Sequence, residues 1–96
     1  MSPSSETGAE RSLTTPLGVL IHTRTAGALV RAAACFDARI TLKANGRTAS
    51  ATSILEILAL GVRGGTELSL SASGEDAPQA VSSLAGLIVQ LASPAA

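Results

Sequence analysis

Aromatic side chains are all but missing: Phe36 is the only one in 96 residues, with no Trp and no Tyr. The interior must therefore be assembled from Ala, Leu, Ile and Val, and no row of aromatic platforms exists on which bases or sugars could stack. A single cysteine, Cys35, excludes an intramolecular disulfide. One histidine with one cysteine also excludes a tetrahedral zinc cage of the usual kind, and nothing else in the chain calls for a metal or a cofactor. Charge of one sign is not in excess either, since seven Lys and Arg face seven Asp and Glu. That balance argues against nucleic acid or an anionic membrane as the main partner. Long apolar runs are absent as well. The longest, Leu84 to Ala92, is interrupted by Gln90 and falls far short of the ~20 residues that span a bilayer. Met1 to Ser12 is polar and carries Glu6 and Glu10 ahead of Arg11, unlike a secretory leader. The cytoplasm is the expected compartment.

What remains is 46% apolar and 15% charged, enough hydrophobic surface for one small folded domain. Residues 1–12 read as a disordered tail, residues 13–92 as the domain and residues 93–96 as a fraying end. Leu13 to Ile21 reads as a first strand, pushed to a sheet edge by Pro16 and Gly18. A helix is predicted from Thr23 to Ala34, with Ala26, Leu29, Val30, Ala33 and Ala34 at helical spacing and Arg24 and Arg31 off the stripe. Cys35 continues that stripe and is expected to be a small buried hydrophobe. Ala38, Ile40 and Leu42 alternate with Arg39, Thr41 and Lys43 as a half-buried strand. Asn45-Gly46 supplies a tight hairpin turn into a short strand from Arg47 to Ala51. Ser53-Ile54-Leu55-Glu56 fits a capping box, in which Glu56 reaches back to Ser53, and Gly61 closes a helix of barely two turns. Leu68, Leu70 and Ala72 alternate as the last strand. A final helix starts near Glu75-Asp76, read as capping charge, and buries Val81, Leu84, Ile88 and Leu91. The order β-α-β-β-α-β-α, with one polar sheet face, is an α+β open-faced β-sandwich: a four-stranded antiparallel sheet with three helices on one face.

One place in this layout could do chemistry. A lone histidine on an apolar face is usually structural, but His22 stands where the first strand meets the first helix, directly before Thr23-Arg24-Thr25. It would sit beside unpaired backbone N–H groups at the positive end of a helix, which is a ready anion site. Arg24 adds a permanently charged fork suited to phosphoryl oxygens. An imidazole nucleophile whose phosphorylated form is stabilised by both is a coherent constellation. No base–nucleophile pair for a hydrolase is found.

Several segments together resemble a known family. His22-Thr23-Arg24, Asn45-Gly46-Arg47-Thr48, the run from Thr52 to Gly61 and the run from Glu67 to Gly74 are similar to the HPr family of phosphocarriers. HPr serves the phosphoenolpyruvate-dependent phosphotransferase system. The likeness extends from about Leu13 to Leu91, and the distances from the His-x-Arg signature to the Ser53 helix and to Ala72-Ser73-Gly74 match as well. The resemblance implies a phosphoryl relay through an otherwise monomeric protein. Enzyme I would phosphorylate Nδ1 of His22, Arg24 would neutralise the charge in transit, and an enzyme IIA domain would receive the group. Ser53 would match the regulatory serine that HPr kinase/phosphorylase modifies in some bacteria, a role compatible with a plain N-cap.

A docking patch for these partners would comprise Thr23, Ile54, Leu55 and Leu58, since two helical turns cannot turn all three aliphatic side chains inward. Two departures stand out. Leu20 occupies the usual place of a glycine, and Thr25 the usual place of a proline or alanine. They leave room for a second reading, a regulatory module of the same fold that binds partners without efficient phosphotransfer.

Overall fold

A computed structural model describes residues 8–15 and 23–91 of the chain. Its elements are β1 (Gly8–Thr14), α1 (Thr23–Ala33), β2 (Arg39–Ala44), β3 (Arg47–Ser50), α2 (Ile54–Ala59), β4 (Glu67–Ser73) and α3 (Ala77–Leu91). The order matches the expected β-α-β-β-α-β-α. The strands form one antiparallel sheet in the order β1-β4-β2-β3. Alternation decides which face is dry. Leu70 and Ala72 of β4 register with Leu42 and Ile40 of β2, and Leu68 with Leu13 of β1. Leu68, Leu70, Ala72, Leu42 and Ile40 share one buried cluster with Leu29, Ile57, Leu84 and Ile88 from the three helices. The opposite face carries Ser69, Ser71, Thr41 and Lys43 and meets water.

The first strand differs from its expected position. It runs over Gly8–Thr14, not residues 13–21, so residues 8–12 belong to the sheet. The remainder of the expected strand, residues 16–21, lies outside the described residues, as do the tail residues 93–96. The physical reason is its edge position. β1 pairs along its whole length with β4, but only Ala9 and Leu13 lean on the core, so backbone pairing holds a segment with almost no apolar alternation.

α1 buries Ala26, Leu29 and Ala33 and leaves Arg24 and Arg31 exposed, as its stripe requires. The stripe stops at the helix end. Cys35 N–H donates to Ala32 O and Phe36 N–H to Ala33 O, bonds of the tighter i→i−3 kind. The chain thus leaves helical phase, and Ala34 and Cys35 are exposed rather than buried. The Cys35 thiol donates to Arg31 O at 3.7 Å.

α3 buries Val81, Leu84 and Ile88 as predicted, together with Ala77, Ala80 and Ala85; the Leu91 side chain lies outside the described residues. Asp76 corrects another expectation. Its carboxylate does not serve its own helix but accepts from the backbone N–H groups of Asp37 at 2.9 Å and Ala38 at 2.8 Å. It thereby ties the turn between α1 and β2 to the start of α3.

Candidate functional site

α1 opens with Thr23 and Arg24, both exposed. His22 is bonded directly to Thr23 but lies outside the described residues, as does Leu20; Thr25 is half-buried in the first turn. The helix that follows has eleven residues and no acidic side chain in its first turn, so the positive end of its dipole is not offset by a carboxylate there. Among the described residues no group of three His, Cys, Asp or Glu side chains could hold a metal, and no described helix is long and apolar enough to cross a membrane.

α2 packs beside α1, and both of its ends are held from outside. Ser53 is its N-cap, with extended backbone at φ −122° and ψ 110°, and its hydroxyl accepts from the Glu56 N–H at 3.2 Å. The reciprocal half of the predicted capping box is absent. Ser53 N–H donates to Ser50 O, while Glu56 Oε1 accepts from Ser50 N–H at 2.8 Å. The Glu56 carboxylate therefore fastens α2 to the end of β3 rather than to its own cap, because the tight turn after β3 has already satisfied the Ser53 donor.

At the other end, Gly61 takes a φ of +68°, the left-handed conformation that stops a helix. Asn45 Nδ2 donates to Leu60 O at 2.7 Å, and the Arg47 guanidinium reaches Ala59 O at 3.4 Å. Asn45 and Arg47 were legible in the sequence only as turn and strand residues. Asn45 does take a turn conformation, with φ +53°, but the reach of its side chain across fifteen positions to α2 leaves no sequence signal.

Six residues held this way cannot hide every apolar side chain. Ile57 is fully buried and Leu58 packs partly against the core. Ile54 stays 36% exposed and Leu55 79% exposed. Of the expected patch, Thr23, Ile54 and Leu55 thus face water, with Leu58 turned further inward.

The family model described as the PTS HPr component phosphorylation site matches residues 9–90, most of the chain and all of the elements just described. The chain belongs to the HPr phosphocarrier family. Phosphocarrier protein HPr of Vibrio cholerae is 44% identical over 71 residues, which cover 74% of this chain and 84% of that protein. HPr of Mycoplasma capricolum is 32% identical over 72 residues, covering 75% and 81%. Among solved structures, HPr-C-His of Thermoanaerobacter tengcongensis superimposes with a TM-score of 0.81 at 28% identity, over 92% of this chain and 99% of that one. Crh of Bacillus subtilis, described as a catabolite repression protein that forms a domain-swapped dimer, gives a TM-score of 0.69 at 30% identity, over 85% and 90%. The match to the HPr family model begins at Ala9, in agreement with the early start of β1. His22, Arg24 and Ser53 all lie inside the matched region.

Proposed function

We propose that this HPr-family chain carries a phosphoryl group on His22, taking it from phospho-enzyme I and handing it to an enzyme IIA domain. The observation that carries the reading is the juxtaposition of two features. One is the acid-free N-terminal turn of α1, with Arg24, directly after His22. The other is α2, packed alongside with Leu55 bare to solvent. In the first transfer the P–N bond of the donor phosphohistidine breaks as a bond forms between phosphorus and Nδ1 of His22. The negative phosphoryl oxygens then lie near the helix N–H groups and the Arg24 guanidinium, which lower the energy of the adduct. The second transfer reverses these roles toward the enzyme IIA histidine. Thr23, Ile54, Leu55 and Leu58 supply the surface on which both partners dock in turn, and the relay takes place in the cytoplasm.

Ser53 is the regulatory position of this reading. Phosphorylation there by HPr kinase/phosphorylase would place roughly −1.5 to −2 charges beside Ile54 and Leu55, at a helix start that tolerates negative charge. The fold should survive while docking to an acidic partner surface weakens.

The test is transfer of labelled phosphate from phosphoenolpyruvate through enzyme I. Wild type should take up one acid-labile, alkali-stable label, the signature of a phosphoramidate, and His22→Ala should take up none. Equal labelling of the variant would refute the relay.

A further inference from the structure

A partly open cavity of about 650 Å³ lies where the end of α1, the start of β2, the end of β3 and the first turn of α2 converge. This is the size range of small-molecule sites. Its apolar lining includes Ala34, Phe36 and Ile40, beside hydroxyls such as Thr41 and Ser50, and it uses the only aromatic ring of the chain. The lining also carries charge of both signs, since Asp37, Arg39 and Glu56 all face the same space. Among the described residues no ion pair joins Arg39 to either carboxylate. Opposite poles that face one cavity without closing on each other match a ligand that carries both charges itself.

We propose that this cavity binds a free α-amino acid with an apolar side chain. Its carboxylate would pair with the Arg39 guanidinium, which suits a planar two-oxygen acceptor. Its ammonium would lie between the Asp37 carboxylate, whose own fold contact is made by its backbone N–H, and the second oxygen of Glu56, whose Oε1 is already held by Ser50 N–H. Its side chain would cover Phe36 and Ala34. A neutral polyol would leave both charged poles without counter-charge, and a simple anion would meet two carboxylates for one guanidinium. Ser50 and Glu56 line the cavity and also anchor the first turn of α2, so occupancy would be felt at Ser53.

Titration of the full ¹⁵N-labelled chain with leucine, followed by two-dimensional NMR, tests the site without any phosphotransfer partner. Saturable shifts are expected at the amides of Phe36, Asp37, Arg39 and Ser50, with smaller ones at Ser53 and Glu56. Leucine methyl ester and 4-methylpentanoate, which lack one charge each, should bind about tenfold more weakly, the effect of losing one charge-assisted hydrogen bond. Arg39→Gln and Asp37→Asn should weaken leucine by a similar factor, and both side chains are exposed, so the fold should tolerate either change. No saturable shift at 20 mM leucine (roughly the weakest binding that still counts as a site), equal shifts with glucose, or unchanged affinity in both variants would overturn the proposal.

Discussion

Asp76 shows how much one side chain can organise. Both carboxylate oxygens accept backbone N–H groups from a turn 38 or 39 positions away, and the neighbouring Gly74 adopts a φ of +134° where a Cβ would come within 3.0 Å of Ala38 Cα. Asp76→Ala strands two N–H groups, one of them part-buried, and should cost about 2 kcal/mol. Urea unfolding monitored by circular dichroism checks this. At the same scale, Leu20 and Thr25 are the positions at which to test a carrier against a regulatory module. Pro at position 25 would fall in the first turn of α1, where its fixed φ suits a helix, and Gly at position 20 would restore the residue type usual in the family. The double change Leu20→Gly with Thr25→Pro should raise the rate of transfer from enzyme I if the chain is a slow carrier. A wild-type rate already equal to that of ordinary HPr would make both departures neutral. A wild type without transfer, rescued by the pair, would favour the regulatory reading.

α2 is the element in which local and tertiary demands meet. Helices of this length are not stable on their own, and its position depends on Glu56 at one end and on Asn45 and Arg47 at the other. Two substitutions should therefore part company. Leu55→Glu alters a side chain that is 79% exposed, so it should change stability by no more than about 0.5 kcal/mol while weakening enzyme I binding by about tenfold or more. Asn45→Ala removes a bond to a helix-end carbonyl and forces a β-carbon residue with no amide side chain into positive φ. It should lower stability by about 1–2 kcal/mol, and any loss of affinity should follow that loss. Calorimetric titration with enzyme I, alongside thermal melts of both variants, distinguishes contact from support.

At the scale of the whole molecule, the sheet is completed by a strand whose composition conceals it. Every residue from Gly8 to Thr14 has a partner on β4, and α3 packs across both strands. A chain beginning at Leu13 loses most of that edge, uncovers β4 and exposes part of the α3 contact. Its Tm should fall by at least about 10 °C relative to a chain beginning at Gly8, since each 1 kcal/mol is worth about 4–8 °C in a domain of this size. The two start sites differ only in residues 8–12, the N-terminal part of β1. Differential scanning calorimetry of the two truncations gives the answer, and equal Tm values would mean that β1 contributes nothing.

The amino-acid sequence by itself determined the periodic elements and their order. Ile40 and Leu42 in β2, Leu68 and Leu70 in β4, and Ala26, Leu29 and Ala33 in α1 advertise buried faces because alternation and helical spacing are local properties of the chain. It also determined the Ser53 cap, the Gly61 stop and the His-x-Arg signature, each written in adjacent residues. Only the tertiary structure decided where β1 lies, because an edge strand is held by backbone bonds to β4 that leave no mark on its side chains. The same holds for Cys35, whose exposure depends on the point at which α1 unwinds, and for Glu56 and Asp76. Both acids have the local look of helix-capping charges, yet both bind backbone donors on other elements. A carboxylate takes whichever unsatisfied N–H groups folding brings within reach, and for these two that choice was made by packing between elements rather than by neighbours in the chain.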